Sequence, residues 1–137
     1  MINFNPYDGD AFKLYKDAVD RKNEGADKTT LLNIEQKVKK SYDSYQIAFS
    51  NKNVHLLNKD DSYTQNEKQL LKNLYGSQVK VVKDIRAWID EHNKRTYLRK
   101  CPYCTLGRGN TTEHILPKEA YPEYAIDALN LLPCCSE

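Results

Sequence analysis

The chain has no apolar run approaching the roughly 18 to 20 residues that a membrane span needs. Its start, MINFNPYDGD, has neither the basic opening nor the apolar core of a secretory signal. The expectation is a cytoplasmic protein with no membrane partner. There is no internal repeat and no low-complexity segment, so repeat arrays and compositionally biased tails are set aside. Net charge is only +2, so a nucleic-acid contact would have to come from a local patch rather than the whole surface. The first hundred residues contain no cysteine, and all four lie between Cys101 and Cys135. In a reducing compartment such a cluster suits metal binding better than disulfides. With 137 residues, 39% of them hydrophobic and 29% charged, the chain is one ordinary domain, or a helical piece joined to a small metal-stapled one.

What is present first is helical periodicity. Asp10 is a suitable N-cap for a helix over about residues 11–22, with Ala11, Leu14, Tyr15, Ala18 and Val19 on one face. Asn23-Glu24-Gly25 makes a turn. Thr29 or Thr30 then caps a longer helix to about Ser50, with the stripe Leu31, Ile34, Val38, Tyr42, Tyr45 and Phe49. Lys37, Lys39 and Lys40 fall on its other face and read as solvated. Residues 51–63 read as a polar loop, with His55 exposed in it. Thr64 and Glu67 form a capping-box pattern. A helix follows through Leu70, Leu71 and Leu74, either breaking at Gly76-Ser77 or continuing through Val81, Val82, Ile85, Trp88 and Ile89. Trp88 is expected in the core between these helices. Residues 1–93 are thus a helical, bundle-like region, able to serve as a scaffold, a homo-oligomer surface or a site for a partner protein.

Composition changes at about Asn93. Lys94, Arg95, Arg99, Lys100 and Arg108 are interleaved with Tyr97 and Tyr103, and no acid occurs between Lys94 and Thr112. Phosphate contacts need such local lysine and arginine, although a solvated helix end explains the same residues. Within this stretch Cys101-Pro-Tyr-Cys104 has the spacing of a zinc knuckle, in which two thiolates occupy two corners of a tetrahedron. The same tetrapeptide occurs in glutaredoxins, but that chemistry wants the first cysteine at a helix mouth. Thr-Leu-Gly-Arg-Gly-Asn, which follows here, is a turn sequence. Chance spacing is the third alternative. Cys135 would give a third zinc ligand. The fourth would be Cys134, a water or a neighbouring group, because adjacent cysteine side chains diverge.

Between the cysteines lies Glu113-His114-Ile115-Leu116-Pro117-Lys118, and before the second pair Asn130-Leu131-Leu132-Pro133. This order of knuckle, acid–histidine pair, proline–lysine turn, asparagine and cysteine pair resembles the HNH (ββα-metal) endonucleases over about residues 98–137. The resemblance implies a mainly α chain in which the helical region precedes a ββα-metal zinc-knuckle module, residues 94–137, lacking its final helix. It implies that His114 is the general base, that Glu113 holds a catalytic Mg2+ or Mn2+, and that Asn130 holds the loop carrying the histidine. Cys101, Cys104, Cys135 and Cys134 would hold a structural Zn2+. Lys94, Arg95, Arg99, Lys100, Arg108 and Lys118 would face DNA. Restriction or anti-phage defence is the setting it suggests.

The roles fit phosphodiester hydrolysis. An imidazole with a pKa of about 6.5 accepts a proton from water near neutrality, and a divalent ion neutralises charge at the phosphate. Adjacent residues of a strand point to opposite faces, so a bulge or strand end is expected at Glu113-His114. The sequence differs from the family in having glutamate where aspartate is usual. The motif's last metal ligand would fall beyond Glu137, so the expectation is an incomplete site with little activity in this chain. The rival from another class is a non-catalytic zinc-ribbon module that binds nucleic acid or acts as an adaptor. Elemental analysis should find about one zinc per chain, with thiols that become titratable only when a chelator is added. A metal-free protein with a reactive, low-pKa Cys101 would instead mark a thiol oxidoreductase.

Overall fold

The computed structural model describes residues 7–77, 79–92 and 111–134. These are mainly helical, as the periodicity anticipates: α1 (Ala11–Asp20), α2 (Ala26–Asn33), α3 (Glu35–Ser50), α4 (Gln65–Ser77) and α5 (Val79–Glu91). An antiparallel pair, β1 (Thr111–His114) and β2 (Leu131–Cys134), follows. Among the described residues no helix is long and apolar enough to cross a membrane.

Asp10 caps α1 as read from sequence, its Oδ1 accepting from the Phe12 and Lys13 amides at 3.1 and 3.2 Å. Tyr15, Ala18 and Val19 form the buried face, and the Tyr15 hydroxyl donates to the Leu31 carbonyl at 3.1 Å. The long second helix expected from Thr29 or Thr30 differs in two respects. It starts earlier, at Ala26, and the two threonine hydroxyls turn back onto the Gly25 and Ala26 carbonyls at 3.0 Å. Their side chains thus bond within the first turn rather than capping it. It is also interrupted at Ile34, which sits at φ −96°, ψ 8° between α2 and α3. Amide bonds from Ile34 to Thr30 and from Val38 to Ile34 cross the junction, so the buried stripe Leu31, Ile34, Val38, Tyr42 and Tyr45 survives the bend.

Lys37 departs from the solvated reading. Its Nζ donates to the Ser62 carbonyl at 2.6 Å and lies 4.4 Å from the Tyr63 ring centroid, tying α3 to the loop before α4. That loop contains a short 3-10 turn, Val54–Leu56, and His55 is exposed on it. The capping box of α4 is complete. The Thr64 amide donates to Glu67 Oε1 at 2.8 Å, and the Glu67 amide donates to Thr64 Oγ1 at 3.1 Å. The apolar period then runs through two helices, α4 and α5. Trp88 sits at the core's margin, half-buried, edge-on to Tyr7 and stacked on His92.

The last segment is packed into the same core as the helices. Leu116, Tyr124, Ile126, Ala128 and Leu131 join Tyr45, Leu71 and Leu74 in one buried cluster. Between the strands the chain makes two 3-10 turns, Pro122–Tyr124 against α3 and α4, and Ala128–Asn130 against α3. The Tyr121 hydroxyl donates to the Leu57 carbonyl at 2.9 Å, and the Tyr124 ring lies 4.9 Å from that of Tyr45.

Two acids are buried in this segment: Glu123 is 3% exposed and Asp127 1%. Burial pushes each carboxyl up to about 7. Asp60 adds to the rise at Glu123, while Lys68 and a backbone hydrogen bond oppose it. At Asp127 the Leu129 amide opposes it. An unfolded carboxyl titrates at about 4, so between about pH 4 and 7 the folded state holds protons that the unfolded chain has lost. The contribution is full below the unfolded value and is lost as pH rises through about 7. Asp60, lowered chiefly by its bond from Ser62, acts in the opposite sense but below this window. The urea midpoint should therefore fall between pH 5 and 7.5, and Glu123→Gln should flatten that slope.

Candidate active site around His114

Strand pairing places Glu113 opposite Leu132 and His114 opposite Leu131. β1 ends at His114, and one further ladder bond, from the Ile115 amide to the Asn130 carbonyl at 2.9 Å, closes the pair. Beyond it the chain turns at Pro117, whose carbonyl accepts from the Ala120 and Tyr121 amides. His114 thus stands where the strand gives way to a compact turn.

Asn130 is the most fully engaged side chain of that turn. Its Oδ1 accepts from the Leu116 amide at 2.8 Å and from the Tyr45 hydroxyl at 2.9 Å. Its Nδ2 donates to the Leu116 and Tyr124 carbonyls at 3.0 and 3.1 Å. An amide side chain has two donors and two acceptor lone pairs, and all are used at a fully buried residue. The partners also fix which way round the amide lies, since the Leu116 N–H needs an oxygen and the two carbonyls need N–H groups. The Asn130 amide adds a bond to the Asp127 carbonyl at 2.8 Å.

This bonding delivers the Ala125 carbonyl to His114, whose Nε2 lies 2.9 Å from it. A carbonyl only accepts, so Nε2 carries the proton and the neutral ring has its lone pair on Nδ1. Helix α4 reaches the same imidazole. The Tyr75 ring meets it edge-to-face with centroids 4.5 Å apart. Lys118 also reaches Tyr75, its Nζ 5.3 Å from the ring centroid and 3.5 Å from Glu119 Oε1. Lys72 of α4 is near enough to assist Lys118 in lowering the Glu119 carboxyl, after the larger effect of that residue's own backbone.

The structure therefore brings His114, Asn130 and Lys118 into one neighbourhood and places Glu113 beside them by strand register. Cys134 is the last residue of β2, opposite Thr111. Cys101, Cys104 and Cys135, with Lys94, Arg95, Arg99, Lys100 and Arg108, lie outside the described residues. Sequence reasoning missed Tyr75, whose signal was faint: an aromatic one turn past Leu71, flanking the apolar stripe. It also missed Tyr45 as a partner of Asn130, since 85 residues separate them, and it missed the buried acids Glu123 and Asp127. Comparison of the chain with family models, curated proteins and solved structures finds no match.

Asn130→Asp keeps the shape of the side chain but turns an oxygen toward the Leu116 and Tyr124 carbonyls. It should cost about 3 kcal/mol or more, since two buried acceptors lose their donor and face a third. Tyr45→Phe removes the hydroxyl that Asn130 Oδ1 shares with the more distant Leu129 carbonyl, while leaving both Asn130 donors in place, and should cost about 1 kcal/mol. Urea denaturation of the two variants measures both values, and similar losses would contradict this account of the turn.

Proposed function

We propose that the chain is a metal-dependent endonuclease of the HNH type, hydrolysing DNA phosphodiester bonds, in a setting of restriction or defence against foreign DNA. The observation that carries the reading is the orientation of His114 at the strand end, with Nε2–H committed to the Ala125 carbonyl by a turn that Asn130 braces. That bond leaves Nδ1 as the basic nitrogen. It also favours the imidazolium formed when a water's proton is taken up, because the charged ring's N–H binds a carbonyl more strongly. Tyr75 restricts rotation of the ring, so the base keeps one bearing toward the substrate.

With Nδ1 of His114 acting as the base, ion binding falls to a different donor, and Glu113 offers the oxygen chemistry that Mg2+ or Mn2+ prefers. When bound, the ion supplies charge neutralisation at the scissile phosphate and the leaving oxygen. A structural zinc would be held by Cys101, Cys104 and Cys135 with Cys134. Lys94, Arg95, Arg99, Lys100 and Arg108 would contact the DNA backbone, and Lys118, close to Tyr75 and His114, would add a contact at the reacting phosphate.

Supercoiled plasmid incubated with excess protein and Mn2+ tests the proposal. Slow nicking is expected, abolished by His114→Ala and reduced by Tyr75→Ala, with zinc content unchanged in both variants. DNA binding and a full zinc complement without any His114-dependent nicking would favour the zinc-ribbon adaptor instead.

A further inference from the structure

A cleft of about 770 Å³ opens between the segment before α1 and the second half of α3, and none of the residues placed in the nuclease reading lines it. Asp127 and Tyr42 contribute to its inner wall. Asp127 is 1% exposed and Tyr42 4%, yet among the described residues Asp127 Oδ2 and the Tyr42 hydroxyl have no hydrogen-bond partner. Buried polar atoms are nearly always bonded, and an orphaned one asks for an explanation. Here two sit in one cleft. Asp127 Oδ1 is accounted for by the Leu129 amide at 3.0 Å, so Oδ2 is the oxygen left over, an acceptor once the carboxyl, pushed up to about 7 by burial, is ionised.

The surroundings say what kind of group would satisfy both. Asp8, Asp10 and Asp43 line the cleft with Asp127, against Lys39 and Lys52. Lys39 is already drawn toward Asp43 at 3.6 Å. The excess of acid disfavours an anion and favours a cation. Phe12, Phe49 and Tyr42 supply aromatic wall, suited to an apolar stem and to a cation over a ring face. Lys39 Nζ lies 5.3 Å from the Phe12 centroid, so a ring of this cleft already lies beside an ammonium. An ammonium has three donors and can reach a carboxylate and a phenol oxygen together; a neutral alcohol of the same length cannot match its charge.

We propose that this cleft binds a primary alkylammonium group, with the nitrogen on Asp127 Oδ2 and the Tyr42 hydroxyl and the alkyl stem against Phe12 and Phe49. The group comes either from a free di- or polyamine or from a lysine side chain of a partner. Asp127 is bonded through its backbone to Tyr124 and Asn130, so occupancy of the cleft is felt in the turn that orients His114. The site itself stands whether or not His114 is catalytic.

NMR titration of the full chain at about pH 8, where the Asp127 carboxyl is ionised, and at constant ionic strength tests this, with butylammonium, cadaverine, Nα-acetyl-lysine methylamide and butan-1-ol as probes. Butylammonium should give saturable shifts at Tyr42, Asp127 and Leu129, and butan-1-ol none. Asp127→Asn, which keeps the acceptor for the Leu129 amide, should weaken binding about tenfold or more. Tyr42→Phe removes a hydroxyl that has no hydrogen-bond partner among the described residues. It should therefore fold as stably as the parent while binding butylammonium several-fold more weakly. Cadaverine binding well above butylammonium would mark a free diamine as the ligand, and undiminished binding of the lysine derivative would mark a partner's side chain. No saturation by butylammonium, equal shifts with butan-1-ol, or unchanged affinity in Tyr42→Phe would each overturn the proposal.

Discussion

One side-chain amide holds the segment from β1 to β2 together. Asn130 lies in the interior with both donors and both lone pairs committed, joining α3, the turn after β1 and the 3-10 turn Pro122–Tyr124. A buried amide left partly unsatisfied destabilises strongly, whereas a fully satisfied one specifies a single arrangement. That arrangement positions the Ala125 carbonyl for His114, and through it the tautomer of the imidazole. The strand pair alone is only four residues on each side, and an isolated hairpin of that size is marginal. It is the packing of the intervening turns on α3 and α4 that gives it a fixed shape.

Much of the helical architecture could be read from the residues, because it rests on local rules. The Asp10 cap, the Thr64–Glu67 box and the periodic stripes are short-range features, and each appears as expected. The departures came where a side chain answered to something distant or had two local options. Thr29 and Thr30 are good caps, but they bond equally well to carbonyls four residues back, and Gly25 opened the helix earlier. Lys37 looked like one more solvated lysine until the Ser62 carbonyl and the Tyr63 ring arrived from across the chain. Around His114 the pattern of short motifs singled out the histidine and the asparagine. It could not give their partners, because Tyr45 reads as one more residue of an apolar stripe and Tyr75 as a flank of another.

The helices are therefore more than a platform for the last segment. Tyr75 meets the imidazole, Tyr45 completes the Asn130 amide, and the Tyr121 hydroxyl reaches the loop between α3 and α4. Glu119 is likewise shared, since both Lys72 from α4 and Lys118 from the turn act on its carboxyl. Charge patterning marks a boundary in composition near Asn93, while the buried cluster runs through helices and turns alike. Asp127 illustrates the same sharing. Its backbone belongs to the turn that Asn130 braces, whereas its carboxyl lines a cleft walled by α3 and the start of α1.

The bond between Tyr45 and Asn130 also has a consequence in time. Its two ends are 85 residues apart, and closing so long a loop carries an entropic cost that contacts within the helices do not. On a ribosome the five helices have emerged and can pair before Asn130 is added. The imidazole can thus be oriented only after the turn carrying Asn130 closes onto α3. A nascent or half-folded chain would carry His114 without its bearing, so any chemistry it performs starts only once the molecule is whole.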